Sequence, residues 1–311
     1  MSLKSVGVQS PQSAKAKKFP NNDRIRSKYL SGLFFMAISA TAFGSAPSFA
    51  KIAFDNAINA TSLQSYRFLI TFLIIFSILL FSAQRWGVHQ SHMPRLFLLA
   101  LSTGLSSFCY MTSVRYIPVA IASLTFFTFP LIVAPASHIL KLDRLNGLKI
   151  AAMFVAFSGL CLLLGGGYLL DWLGILMAFS AGLCVATSFI VAKPLTEDLS
   201  PLTLATISTG IPCMVYLFIT FSLSQFVIPN NLVGSFGVVG NSLCHALGLT
   251  CCYAAIARLG ALRTAVFMNI EPLISVLVAY LLLGQTITTI QMLGVFGVIF
   301  GILLISYKRT T

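Results

Sequence analysis

Few residues in this chain could do chemistry, and Glu271 stands out among them. It sits in Phe267-Met268-Asn269-Ile270-Glu271-Pro272 and is the one acidic residue well inside a hydrophobic run, here Ala261 to Leu283. That run is long enough to cross a bilayer as a helix. A carboxylate placed there is costly and faces a cavity or a partner rather than lipid. At ~1.5 Å per residue its depth is roughly 13 Å from the nearer boundary, close to the midplane. Two roles fit: an acceptor that exchanges a proton or cation, or a structural carboxylate held by Arg258, Arg263 or helix-end amides. Pro272, which lacks a backbone N–H, predicts a kink beside it.

The other candidates lie at different depths in the apolar runs. Arg67 lies ~6 Å inside the opposite boundary. Its forked donors suit a carboxylate or phosphate, while its long stem suits a structural role, snorkelling to the interface. Asn269 and Met268 lie within one turn of Glu271, but Asn269 and Glu271 are two residues apart and do not share a face. Tyr110, Thr125, Thr187, Ser188 and Tyr253 place hydroxyls deep in apolar stretches. Each singly is expected to bond backbone; as a set, with Phe126, Phe127 and Phe267, they form a polar lining for an aromatic cavity. Lys51 and Lys193 are expected to terminate helices favourably for the helix dipole.

Enzyme and metal patterns fare poorly. His89 and His92 have metal-pair spacing but no third ligand, and read as a titrating surface loop. Gly240-Asn241-Ser242-Leu243-Cys244 lacks the last glycine of a nucleophile elbow. Gly165-Gly166-Gly167 lacks the following Lys-Ser/Thr of a phosphate cradle. His138 and Asp143 reproduce an acyltransferase-like spacing that reads as coincidence. No enzyme activity, cofactor or metal is expected.

These residues must be held by membrane helices. The chain of 311 residues is 57% hydrophobic and 9% charged, against the roughly 25% charged residues of a soluble domain. The net charge of +13 would suggest nucleic acid in a soluble protein, but here the lysines and arginines gather in loops. From Tyr29 onward ten apolar runs of roughly membrane-spanning length follow. Their cores are 30–50, 63–82, 95–114, 118–140, 147–165, 172–192, 201–222, 232–256, 262–283 and 288–306. With the N-terminus inside, 17 of the 20 Lys and Arg fall on the cytoplasmic side, the positive-inside pattern, which predicts both termini cytoplasmic. Residues 1–28 form a basic tail suited to an anionic leaflet, with no cleavable signal peptide apparent. Trp86 and Trp172 fall at helix ends, as interfacial anchors do. The seven cysteines all lie in apolar runs and read as small buried hydrophobes.

The chain also resembles itself at an offset of 142: Gly32 matches Gly174, Lys51 matches Lys193, Pro130 matches Pro272 and Gly159 matches Gly301. Five helices per half is an odd number, so the second half enters the membrane inverted. The charged loops around Arg85 and Arg95, and around Lys141, Arg144 and Lys149, correspond to the uncharged Ser222–Asn231 and Leu283–Thr289. Inverted repeats are a hallmark of secondary transporters, whose sites lie near the midplane between the halves. Glu271 corresponds to Phe129, so the charge belongs to one half only.

Several segments carry a family likeness. Phe43-Gly44-Ser45-Ala46-Pro47-Ser48-Phe49-Ala50-Lys51 resembles the W-G-x-x-F-x-x-x-K ending of the first helix in EamA-type carriers of the drug/metabolite transporter superfamily. Ser65-Tyr66-Arg67-Phe68 is similar to that family's A-x-R-F/Y, and Tyr253-Ala254-Ala255-Ile256-Ala257-Arg258 to its aromatic-aromatic-A-L-x-Y. Glu271-Pro272-Leu273-Ile274-Ser275-Val276-Leu277 with Leu281-Leu282-Leu283-Gly284-Gln285 is similar to its E-P-x-x-x-x-L…L-L-L-G-E. Phe43 stands for the tryptophan, Pro47 for an aromatic, and Gln285 for an acid whose first-half equivalent is Asp143.

The resemblance implies an all-α integral membrane bundle of ten helices in two repeats, 29–168 and 169–307. It implies a carrier, in the export direction, for a small organic metabolite, amino acid or drug-like solute, working by alternating access in the cytoplasmic membrane. Proton coupling through Glu271 is the accompanying hypothesis. An exchanger or importer of an anionic or nucleotide-like metabolite, an intramembrane acyltransferase and a non-transporting scaffold are the rivals. The expected partners are the solute and the lipid bilayer, and no nucleic acid.

Overall fold

A computed structural model describes residues 22–82, 87–117, 119–142, 146–164, 171–283 and 288–307. The basic tail to residue 21, Arg85, Trp86, Asp143, Arg144, the triple glycine 165–167, Gly284-Gln285 and the C-terminal Lys308 and Arg309 lie outside them. The described residues are helical and connecting, with no strand among them.

In order, the helices are α1 (Asn22–Asp55), α2 (Ala60–Phe81), α3 (Met93–Ser113), α4 (Val119–Phe126), α5 (Phe129–Ile139) and α6 (Gly147–Leu164). They continue as α7 (Trp172–Asp198), α8 (Pro201–Ser222), α9 (Leu232–Leu259), α10 (Ala261–Phe267), α11 (Ile270–Leu283) and α12 (Thr289–Tyr307). A short 3₁₀ turn, Gln90–His92, leads into α3. Among the described residues eight spans are long and apolar enough to cross a membrane, and two shorter apolar helices cover Gly147–Leu162 and Met292–Gly301. Starts are fixed by local chemistry: the side chains of Asn59, Asp171, Ser200 and Asn231 accept bonds from the amides that open α2, α7, α8 and α9. Gly260, at φ 88°, lets α9 end and α10 begin with no loop between them.

Two expected helices are not continuous. The runs 118–140 and 262–283 are each split by a tight turn, at Phe127-Thr128 between α4 and α5 and at Met268-Asn269 between α10 and α11. The expected kink at proline is therefore a break just before it. Pro130 and Pro272 fall in the first turn of the restarted helix, where a missing N–H costs nothing.

The exterior is apolar: Phe218, Phe236 and Phe296 are all more than half exposed, as lipid-facing side chains are. The interior holds many buried serines, threonines and amides. Trp172 stands 72% exposed at the start of α7, where an interfacial anchor belongs.

Helix contacts recur at the sequence offset. α1 packs on α9 and α7 on α3; α1 also packs on α11, and α7 on α4 and α5; α2 packs on α8, and α6 on α12. Glycines permit the close approaches. A Cβ on Gly32 would meet Arg258 and Leu259, and one on Gly174 would meet Tyr116 and Ile117, the same positions 142 residues away. A Cβ on Gly159 would meet Gly294, Gly297 and Val298, and one on Gly301 would meet Ala152 and Ala156. Lys51 and Lys193 follow suit: each pairs with the acid one turn on, Asp55 at 2.9 Å and Glu197 at 3.1 Å. They stabilise the turn through these i, i+4 pairs as much as through the dipole.

Candidate functional site

The break between α10 and α11 decides where Glu271 goes. Glu271 is the second residue of α11, so its carboxylate lies at a helix N-terminus, which favours negative charge. Gly44 of α1 is packed against it, with no room for a side chain between the helices. Glu271 is enclosed by the surrounding helices and partly buried. Asn269, in the turn itself, is buried, and its Oδ1 has no hydrogen-bond partner.

The sequence reading offered Arg258 or Arg263 as the cation holding Glu271. The structure places them elsewhere. Arg258 donates to the Ala254 carbonyl oxygen at 2.9 Å and lies 4.5 Å from the centre of the Phe35 ring, while Arg263 lies over Tyr29. The cation within electrostatic reach of Glu271 is Arg67, which is enclosed among the helices instead of snorkelling outward. Its Nε is buried without a partner. Arg67 and Glu271 lie within electrostatic reach but form no direct ion pair with one another.

Around this pair the helices bring a polar stripe from each side. On α2, Gln64, Arg67, Phe68 and Thr71 share one face, at helical spacing. Gln64 Nε2 donates to Ser107 Oγ on α3. Tyr216 Oη on α8 donates to the Gly104 carbonyl at 3.3 Å, and its ring stacks on Phe68 with centroids 5.2 Å apart. The other side of Phe68 meets the buried His245 of α9 edge-on at 5.3 Å. His245 Nδ1 lies 3.2 Å from Thr71 Oγ1, which itself donates to the Ser242 carbonyl oxygen at 3.1 Å. With the single hydroxyl proton so used, the ring nitrogen Nδ1 is the donor and Nε2 carries the free lone pair.

Of the other expected residues, Tyr110 joins the cluster: its hydroxyl bonds Ser123 Oγ at 2.7 Å, its ring meets Phe126 edge-on at 5.3 Å, and it feels both Arg67 and Glu271. Phe126 is half-buried at the end of α4 and heads an aromatic group with Phe127, Phe129 and Phe189. Thr125 contributes its carbonyl, which accepts the Thr128 hydroxyl at 2.7 Å across the break. Thr187 and Ser188 donate to backbone carbonyls one turn earlier on α7, at 2.9 and 3.1 Å. Tyr253 is buried within reach of Ser208 and Thr103, and Phe267 is buried in the core. The structure thus gathers Glu271, Arg67, Asn269, Tyr110 and Phe126, and leaves Thr187 and Tyr253 to structural bonds.

Gln64, Tyr216 and His245 were missed by the sequence reading. The signal was present in part: Gln64, Arg67 and Thr71 repeat at three- and four-residue spacing, as do Asn241 and His245. His92 is a correction of another kind. It is buried at the start of α3, 3.2 Å from Asp198 of α7, and is not a surface-loop residue. His138 is exposed in the last turn of α5. Among the described residues no three His, Cys, Asp or Glu side chains gather as metal ligands. A cavity of about 480 Å³ between α1 and α9 is lined by apolar side chains including Phe34, Leu243 and Leu247, all exposed on the lipid-facing surface, and excludes both charges.

Comparison with known proteins identifies the family and the fold. The profile of the EamA-like transporter family matches twice, over residues 30–165 and 172–307. The chain is 24% identical over 183 residues to "Uncharacterized transporter YyaM" of Bacillus subtilis (strain 168), a match that spans 56% of this chain and 60% of that protein. A protein of known crystal structure superposes with a TM-score of 0.78, covering 91% of this chain and 97% of its own, at 15% identity, a likeness of fold alone.

Proposed function

Because the chain belongs to the EamA-like transporter family, we propose that it is a secondary carrier that moves a small organic solute across the cytoplasmic membrane, in the export direction, by alternating access. In this reading ten helices span the bilayer as two inverted five-helix halves with both termini inside, and the halves rock around the Arg67–Glu271 site. The reciprocal glycine contacts and the family match at the same offset support it, as does the relative that is itself named a transporter.

One observation carries the assignment of the site. Two opposite charges are enclosed among the helices within electrostatic reach of each other yet form no ion pair, and Arg67 Nε and Asn269 Oδ1 have no hydrogen-bond partner. Unpaired charge at this depth costs stability, so it is retained for a ligand. Arg67 offers a fork for an anionic group, Glu271 and Asn269 offer acceptors for a donor group, and the Phe126 aromatics offer an apolar wall. Metabolites, amino acids and drug-like solutes with both kinds of polar end fit this lining. Broken helices at the midplane, with Glu271 on a helix end, follow the design of secondary carriers. Glu271 is also the group positioned to release and recapture a proton as the site alternates.

The test is flux in proteoliposomes across a panel of metabolites, with Glu271→Gln beside the wild type. Uptake driven by a pH gradient is expected in the wild type and lost in the variant. Unchanged gradient-driven uptake in Glu271→Gln sinks the coupling role, and no flux for any solute class sinks the carrier reading. A second reading, exchange of an anionic metabolite, is favoured by the free Arg67 Nε. It predicts that Arg67→Gln abolishes flux while Glu271→Gln spares it.

A further inference from the structure

The two halves make one more matching contact, and there the chemistry differs. At the junction of the start of α3 with the end of α7, His92 Nε2 lies 3.2 Å from Asp198 Oδ2, and the His89 amide donates to His92 Nδ1 at 3.3 Å. Moving 142 residues along the chain turns His89 into Asn231, His92 into Gly234 and Asp198 into Asn56. That junction, between the start of α9 and the end of α1, is closed by Asn231 Nδ2 donating to Asn56 Oδ1 at 2.9 Å, while Asn231 Oδ1 accepts the Gly234 amide at 2.6 Å. The same place in the two halves is bridged once by a histidine and a carboxylate and once by two amides. Only the first can change charge.

We propose that His92–Asp198 is a proton-responsive clamp between α3 and α7, present on one face of the bundle only, opposite a proton-indifferent clamp at Asn231–Asn56. With the His89 amide donating to Nδ1, the neutral ring presents Nε2–H to the Asp198 carboxylate. A proton added at Nδ1 displaces the His89 amide and turns a bond from a neutral donor to the Asp198 carboxylate into an ion pair between opposite charges. Histidine is the side chain whose charge changes near neutral pH.

The charges around the contact leave the pairing intact. His89 belongs to the same turn, its ring 5.7 Å from that of His92. Arg95 follows one turn into α3. On α7, Glu197 is taken by Lys193 at 3.1 Å, which leaves Asp198 as the carboxylate for His92. Asp198 closes α7 at its C-terminal end, where the helix dipole disfavours an anion and a cationic partner relieves it. His92 stands at the N-terminal end of α3, where the dipole opposes the added charge, but the carboxylate is in direct contact and carries a full charge against the dipole's half. On the alternating-access reading the two clamps lie on opposite faces, so acidification of one compartment holds one face closed and leaves the other unchanged.

The experiment is hydrogen exchange of the full-length protein in lipid nanodiscs between pH 5.5 and 8, corrected for the intrinsic pH dependence of exchange and run without solute. Amides at the start of α3 and the end of α7 are expected to gain about two- to fivefold protection at the acidic end, the scale of an ion pair whose carboxylate is 64% exposed. Those at the start of α9 and the end of α1 are expected to stay constant. The paired substitution His92→Asn with Asp198→Asn removes the response while keeping an amide contact. The reciprocal graft, Asn231→His with Asn56→Asp, tests the same point from the other face and should create a response there. Equal pH response at both junctions in the wild type, none at either, or a response that survives the His92/Asp198 substitutions overturns the clamp. None of these outcomes depends on which solute is carried.

Discussion

Gly44 on α1 touches the main chain of Glu271 on α11: a Cβ built on Gly44 would lie 2.7 Å from the Glu271 carbonyl oxygen and 2.7 Å from Ile274 Cβ. The first helix of one half is thereby seated on the broken helix of the other, at the residue that carries the buried carboxylate. Gly182 of α7 packs on the break between α4 and α5, where an added Cβ would fall 2.8 Å from the Phe126 carbonyl oxygen. Both breaks are thus packed tightly against the opposite half.

Gly44→Ala tests this directly. The added methyl has no space and must push the start of α11 away, costing about 1–3 kcal/mol as overpacking does. The expected outcome is a lower unfolding temperature together with a loss of flux larger than that of Gly182→Ala, because only the former moves Glu271.

Arg67 and Glu271 are expected to be coupled. A double-mutant cycle of Arg67→Gln and Glu271→Gln, read by thermal unfolding, should give an interaction of about 0.5–3 kcal/mol, the range for residues in one network. Strict additivity would mean that the two charges do not sense each other.

The α6–α12 interface gives a symmetric prediction. A Cβ on Gly159 would fall 2.5 Å from Val298 N, and one on Gly301 would fall 2.6 Å from Ala156 N. Gly159→Ala and Gly301→Ala should therefore destabilise by similar amounts, each about 1–3 kcal/mol. Gly147, with nothing within 4 Å of its Cβ position, is the control and should tolerate alanine. Denaturation of purified variants in matched detergent reads the difference.

Lys51 and Lys193 should behave differently from the glycines although they too recur at the offset. Lys51 and its partner Asp55 have side chains 50% and 57% exposed, so the pair is solvated. Lys51→Ala should shift stability by less than about 0.5 kcal/mol, and Lys193→Ala, with the Lys193 side chain only 20% exposed, by up to about 1 kcal/mol. A loss several times larger would assign them a role beyond the surface pair.

How much of this was legible in advance follows from the range of each signal. Hydropathy and charge are local sums, and they located the apolar spans, the basic asymmetry and the polar turn residues. The repeat was legible because Gly32, Gly159 and their partners must be glycine: helix contact at backbone distance leaves no alternative, so the constraint is written twice at one offset. Glu271 was legible because a lone carboxylate in an apolar run is rare.

What only the tertiary structure decided is where side chains from distant helices meet. The sequence allowed Arg67 to snorkel and gave Glu271 to Arg258 or Arg263. The fold turned Arg67 inward because α2, α3, α8 and α9 converge on its face, and drew Arg258 to its own helix end and the Phe35 ring. His245 and Gln64 could not be weighed from their own neighbourhoods, since their partners lie on other helices. The two prolines predicted bends, but the position of each break was set by packing: glycines of the opposite half rest on it, and the following helix needs no amide from a proline in its first turn. A sequence specifies which groups are expensive to bury; the fold decides which of them are left facing one another.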